Sequence, residues 1–319
     1  MAAVQLPLTL LSADARRFDV AGLGQNSLDL VAHARPFPAP NTKQRLLGLE
    51  RLPGGQVASA LVCCARLGWR ARYLGTFGGD EAGSLGRDSL IAEGIDVSAA
   101  STIQSARSRT AIVIVDEHSG ERTVLWDRDP DLVMRPADVP FEAAASGRVL
   151  LVDAEDIPAS AAAAAAARTA GVVTVVDVDG VEPGVETLLA HIDVLIASEG
   201  FPERLTGKAD TGAALADLEA SFRPAMACVT LGPGGCLARS AGLEIRAPAF
   251  PVAAVDSTGA GDAFRGGFIS ALLGGERTLE ELLRYANGVA ALNCLAAGAR
   301  RGLPGPAEVD ALLRAANPR

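Results

Sequence analysis

An α/β fold is what the sequence predicts: a mostly parallel sheet with covering helices, and a small second β-sheet outside it. Two patterns carry the prediction. From Arg148 onward, strand-like and helix-like segments alternate: VLLVD, the alanine-rich run 159–170, VVTVVD, a helical stretch near 184–190, and VLIAS. Such alternation implies parallel strands joined by crossover helices. Upstream, several short segments alternate polar and apolar residues, as half-buried strands do. The 319 residues, 49% of them hydrophobic, can bury a large core. One domain, residues 1–319, is expected, with the small sheet as its appendage.

In order along the chain, residues 18–23 form a short run, apolar apart from Asp19, that stops at Gly24, as a buried strand would. The following NSLDLVAHA alternates until Pro36, and residues 43–50, KQRLLGLE, are also strand-like and closed by the PGG at 53–55. Residues 57–67 read as a helix ended by Gly68, and 70–77 as a strand. TAIVIVD and RTVLWD, joined by EHSGE, read as a hairpin. Together the stretches 29–50 and 109–128 would make the small sheet. The alanine run is a strong helix former and reads as a packing helix. Later come a helix to Leu205 ended by TG, a helix at 211–222, the strand AMACVTL and a GPGG turn. The apolar helices 261–274 and 278–297 follow, then a last helix after Pro306.

Composition excludes several function classes. Net charge is −9 and no basic block is interleaved with aromatics, which argues against a nucleic-acid partner. No apolar run approaches the 18 or so residues of a membrane span, and no early basic region precedes the short apolar stretch at the N-terminus, so no membrane association and a cytoplasmic location are expected. Cys63, Cys64, Cys228, Cys236 and Cys294 have neither CxxC nor zinc-ligand spacing and read as reduced core residues. Three histidines are little material for a triad or a multi-histidine metal site. The partner these features favour is a small molecule.

The most informative stretch is VDSTGAGDAFRGGF, residues 255–268. Gly259, Ala260 and Gly261 stand directly before Asp262 and an apolar helix. Backbone N–H groups at a helix start lack intrahelical partners and carry partial positive charge, so small residues there make an anion cradle. Asp262 reads either as a charge compatible with a helix start, or as an acid holding an acceptor hydroxyl beside an oxyanion-binding turn, as phosphoryl transfer requires. Two other nucleotide motifs fail. GLGQNS at 22–27 lacks the helix a dinucleotide fingerprint needs, since an alternating strand and the prolines at 36, 38 and 40 follow it. Around Lys208 a Walker A loop is excluded, because Ala209 follows the lysine and Pro202 stands where its first glycine belongs.

The run DSTGAGDAF, with GGQVASALVCCARLGWRARYLGTFGGDEAG upstream, resembles the ribokinase/PfkB family of carbohydrate kinases over nearly the whole chain. The resemblance implies a ribokinase-like three-layer α/β/α core with a small β-sheet lid, and an ATP-dependent sugar kinase using Mg2+ and in relatives also K+. On it, Asp262 is the catalytic base and Gly259, Ala260 and Gly261 the anion hole. Asn26, Asp29, Gly54, Gly55, Gln56 and Ser59 fall on the sugar side. Ser59 stands where the family's GGxxxN motif has asparagine. A carboxylate such as Asp29 suits two vicinal hydroxyls, though the residue also reads as a solvent-facing strand acid.

Thr230, Gly232 and Gly235 of TLGPGG fall on the nucleotide side, or form a simple hairpin turn, and Asn287 falls near adenine. The family's metal-associated NxxE reads SEGF, leaving Ser198 and Glu199 there. Asp256 matches the acid of a monovalent-cation site. Arg265, three residues beyond Asp262 and on its helix face, could fork onto an anionic acceptor, or pair with ATP or with a structural acid such as Asp256. The ketohexokinase-like and sulfofructose kinase-like branches look as similar as ribokinase. Lids of relatives pair subunits, which implies a homodimer through Leu47, Leu49 and Trp126. A non-catalytic sugar or nucleotide sensor of the same fold is the alternative.

Overall fold

A computed structural model describes residues 4–118, 122–275 and 278–316. The apolar run before Gly24 gives β1 (Val20–Leu23), buried throughout, and the alternating segment gives β2 (Ser27–Ala34). The next strand, β3 (Gly48–Gly54), starts later than 43 and runs through Pro53 to Gly54. Pro53 fits because β3 is an edge strand, where a missing N–H can face away from the ladder. One residue later begins α1 (Gln56–Arg66). The segment expected as one strand over 70–77 is two, β4 (Ala71–Tyr73) and β5 (Thr76–Gly78), which join different sheets. Between them Gly75 passes so close to Tyr73 that a Cβ there would lie 1.9 Å from the phenol oxygen.

Then come α2 (Glu81–Ala92), capped by Asp80 accepting from the Gly83 N–H, and β6 (Ser101–Ile103), which pairs with β5. The strands of the expected hairpin are β7 (Thr110–Asp116) and β8 (Arg122–Asp127), paired antiparallel. Part of their connection, residues 119–121, lies outside the described residues. After the short α3 (Phe141–Ala144) the strand and helix rhythm is regular: β9 (Val149–Asp153), α4 (Ile157–Thr169), β10 (Val173–Val178), α5 (Val185–Leu189), β11 (Val194–Ser198), α6 (Phe201–Thr206), α7 (Thr211–Phe222) and β12 (Met226–Thr230). A hairpin, β13 (Cys236–Ser240) and β14 (Leu243–Ala247), precedes α8 (Ala260–Leu273), α9 (Leu279–Asn293), shorter than the expected 278–297, and α10 (Pro306–Ala315).

The large sheet has the order β14-β13-β12-β11-β10-β9-β1-β4, parallel from β4 to β12 and antiparallel beyond. Successive residues of its strands enter opposite cores. Val149, Leu151, Val173, Val194 and Ile196 pack with α1, α8 and α9; Leu150, Val152, Val176, Leu195 and Ala197 pack with α4, α5 and α7. Cover on both faces is why these strands read as unbroken apolar runs. A four-stranded sheet, β3-β2-β7-β8, stands apart, with β2 and β7 parallel and both outer pairs antiparallel. All five cysteines are free thiols; four are buried and Cys294 is half-buried. Among the described residues no helix is long and apolar enough to cross a membrane.

Candidate active site

The glycine-rich turn and the start of α8 are built as the sequence implies. Gly259 is the N-cap with φ of 74°, and a Cβ on it would lie 2.5 Å from the Ala299 carbonyl oxygen, so the position is closed to any larger residue. The buried Asn293 donates to the carbonyls of Thr258 and Ala299, both at 3.2 Å, and so fixes the two segments against each other. Asp256 clips the same region: its carboxylate accepts from the Thr258 and Gly298 N–H groups, each at 2.8 Å. The first N–H groups of α8 are left without intrahelical acceptors. Asp262 sits in that first turn, half-buried.

Asp262 and Gly259 lie on the wall of a cavity of about 740 Å³ under the four-stranded sheet. Gln25, Glu155 and Asp179 line it from just beyond the carboxyl ends of β1, β9 and β10, where ligands of parallel sheets gather. The small sheet supplies Asp29, Ala111, Val113, Arg122, Val124 and Trp126. Strand period explains the set: Asp29 pairs with Ala111, and Ala111 with Trp126, so all three face the cavity.

Of the expected sugar-side residues, Asp29, Gly55 and Gln56 line this cavity. The Ser27 hydroxyl donates to the Asp29 carboxylate at 2.7 Å; burial raises its pKa, opposed by that bond and by Arg300 and Arg109. A Cβ on Gly54 would lie 2.2 Å from the Asp29 carboxylate, so this glycine makes room for it. Gln56 donates to Asp179 at 3.2 Å.

Three expectations need correction. Asn26 points under the floor, donating to the Tyr73 hydroxyl and, at 3.0 Å, to the Thr76 carbonyl. Ser59 is fully buried and accepts from Arg300 at 3.0 Å. Arg265 is only 1% exposed; it lies 2.8 Å from Asp177 and donates to the Ile196 carbonyl at 3.1 Å. Its alternative as the partner of a structural acid therefore holds, with Asp177 in place of Asp256. Helix periodicity puts Arg265 on the face of Asp262, but that face here meets the sheet.

The charges around Asp262 set its chemistry. Burial and the neighbouring Asp177 push its carboxyl pKa well up, with Asp29 adding to the rise, while Arg265 and Arg300 oppose it. Missed by sequence reasoning were Arg109, Arg122, Glu155 and Arg300. Arg109 packs 4.4 Å over the Trp126 ring and lies 3.3 Å from Glu155, and Arg122 donates to the Ser257 hydroxyl at 2.5 Å. The alternation of RTVLWD, which puts Arg122, Val124 and Trp126 on one face, is the signal that could have found Arg122.

A second cavity, of about 430 Å³, lies on the other side of the α8 start and is lined by Ala260 and Gly261. Thr230, Gly232, Gly235 and Asn287 line it too, with Phe250 and Phe264 among its apolar walls. The Asn287 amide donates to the carbonyls of Ala247 and Pro248 at 3.2 and 3.3 Å, tying the end of β14 to α9. Ser198 and Glu199 line neither cavity: Ser198 accepts from Arg265 at 3.5 Å and Glu199 is exposed on the turn after β11. The glycine-rich turn thus separates a polar cavity from an apolar one, an arrangement suited to passing a group between two bound molecules.

A family model for pfkB family carbohydrate kinases matches residues 18–306. A fructokinase of Klebsiella pneumoniae is 34% identical over 251 residues, 73% of this chain and 80% of that protein. A nucleoside kinase of Methanothermobacter thermautotrophicus is 27% identical over 303 residues, 91% of this chain and 94% of its own. The structure of Arabidopsis thaliana ribokinase complexed with ribose and ATP superposes with a TM-score of 0.81 at 25% identity, covering 93% of this chain and 99% of that one.

Proposed function

The chain belongs to the pfkB family of carbohydrate kinases and is a phosphotransferase of that type, and we propose that it passes the γ-phosphoryl of ATP to a hydroxyl of an uncharged sugar. The observation that carries this reading is the position of the Gly259–Asp262 turn between the two cavities. The nucleotide occupies the apolar cavity beside Thr230, Gly232, Gly235 and Asn287. The acceptor occupies the polar one, its hydroxyls held by Asp29, by the backbone at Gly55 and by Gln56. That cavity is lined by five carboxylates, Asp29, Glu155, Asp179, Glu182 and Asp262, against two arginines, one of them paired with Glu155. A second negative charge on the acceptor would be repelled there, which favours a neutral polyhydroxyl compound.

In the transfer, Asp262 accepts a hydrogen bond from the attacking hydroxyl, aligns it, and takes its proton as the new bond forms. The N–H groups of Gly259, Ala260 and Gly261 would face the transferring phosphoryl oxygens, that of Ala260 being held in this structure by the Ser257 carbonyl at 3.2 Å. Burial and the neighbouring Asp177 raise the pKa of Asp262, which makes its carboxylate a stronger proton acceptor. No carboxylate lines the nucleotide cavity among the described residues, so a magnesium ion would be held mainly by the nucleotide phosphates, where it would supply further charge neutralisation. Asp256, whose oxygens accept from the Thr258 and Gly298 N–H groups, would be the acid of a monovalent-cation site beside the turn.

The test is ADP release with ATP, magnesium and a panel of neutral and anionic sugars. Neutral acceptors should turn over faster, and Asp262→Asn should lower kcat by about 10²–10⁴-fold while leaving ATP binding nearly intact. Full activity in the Asn variant refutes the base assignment. ATP binding without turnover of any acceptor by the unaltered protein points instead to a sensor.

A further inference from the structure

Arg300 lies in the loop between α9 and α10, only 7% exposed. Its guanidinium donates to the Ser59 hydroxyl at 3.0 Å, to the Ser89 hydroxyl at 3.2 Å and to the Gly54 carbonyl. All three acceptors are neutral, and among the described residues no carboxylate lies within ion-pair distance of it. A buried cation is ordinarily matched by a carboxylate in contact. Here the nearby carboxylates that feel its charge include Asp262 and Asp29, on two sides of the acceptor cavity.

The three hydrogen bonds draw together the β3–α1 turn, α1 and α2. Behind them Arg66, paired with Glu93, donates to the carbonyl of Arg300 itself at 2.7 Å. The cation is therefore fixed in place without being neutralised by contact. Resting on the reading of Asp262 as base, we propose that Arg300 is a positioning residue for the transfer: its charge favours the carboxylate forms of Asp29 and Asp262, and its bond to the Gly54 carbonyl fixes the β3–α1 turn beside Asp29. Two carboxylates facing one small molecule would otherwise favour protonation of one of them. The other groups acting on Asp262 are Asp177 from β10 and Arg265 from α8, and the buried Cys63 thiol lies beside it on α1.

The test follows Asp262 directly, by carbon-13 spectroscopy of protein labelled at the aspartate carboxyls, with the Asp262 signal assigned by its loss in Asp262→Asn. In Arg300→Met its titration midpoint should rise by about one pH unit, a tenfold gain in proton affinity. The acidic limb of kcat/KM should move to higher pH with it. In Arg300→Lys, which keeps the charge but not the fork, the midpoint should stay near that of the unaltered protein while the acceptor KM rises. A folded Met variant with an unmoved Asp262 midpoint overturns the proposal. If Met does not fold, Arg300→Gln is read the same way; if neither neutral variant folds, Arg300 is a structural residue and the proposal fails. Because the spectrum needs no turnover, a failed base assignment, seen as activity in Asp262→Asn, is distinguished from a failed role for Arg300.

Discussion

Arg265 and Asp177 approach to 2.8 Å, each with a side chain only 2% exposed. Removing one member of such a pair strands the other charge without water, which is far costlier than the pair itself is stabilising. Arg265→Met should therefore cost about 3–5 kcal/mol in urea unfolding, and kcat/KM should fall alike for neutral and anionic acceptors. A loss confined to anionic acceptors would return Arg265 to the acceptor site. Asp153 carries a second residue-scale prediction. Burial pushes its carboxyl up to about 7, against the N–H groups of Gln25 and Glu155 that favour its charge. The folded state then binds a proton that the unfolded chain releases near its ordinary value. Stability from this group is full below about 4 and lost as pH rises through about 7. Asp153→Asn should flatten the decline of Tm between about pH 4 and 7, and an unchanged slope would contradict it. Gly259 and Asp262 were legible because a glycine-rich turn at a helix start is a local pattern, whereas Asp29 stood out only through the family resemblance. Arg265 was not legible, since its partner lies on a strand remote in sequence.

The contact of α1 with α8 is set by Gly266, where an added Cβ would lie 2.5 Å from the Cys63 Cβ and 2.8 Å from the Ala60 carbonyl. Gly266→Ala must push the helices apart, at roughly 1–3 kcal/mol. As α8 carries Asp262 in its first turn, kcat should drop with stability, as equilibrium unfolding and steady-state rates would show; an Ala variant with both values unchanged would mean the interface yields elsewhere. At this scale the parallel strands were legible from their apolar runs. Less so was α2, which buries only Gly83, Gly86 and Leu90 and so lacks an apolar stripe. The division of β4 from β5 turns on which sheet each joins, a tertiary matter that alternation does not encode.

For the whole molecule, we propose association into a homodimer through the outer face of the small sheet. Trp126 is exposed, as expected, and lines the cavity side of that sheet. Leu125 is its outward neighbour, 55% exposed and paired in register with the exposed Ile112, with Leu49 also exposed nearby on β3. Leu125→Glu should convert a dimer to monomer in light scattering at micromolar concentration. A monomeric unaltered protein would refute the association. Sequence alternation identified these strands, yet the face each residue presents required the register between them.

β3 leaves the small sheet at Gly54, and only Gly55 separates it from α1, which packs against α8. The canopy and the helix that carries Asp262 are thus joined through a single glycine and α1. On the proposed function, a sugar held by both Asp29 and Asp262 would tie canopy to floor, whereas water is too small to span them, so hydrolysis of ATP in the absence of acceptor should be slow.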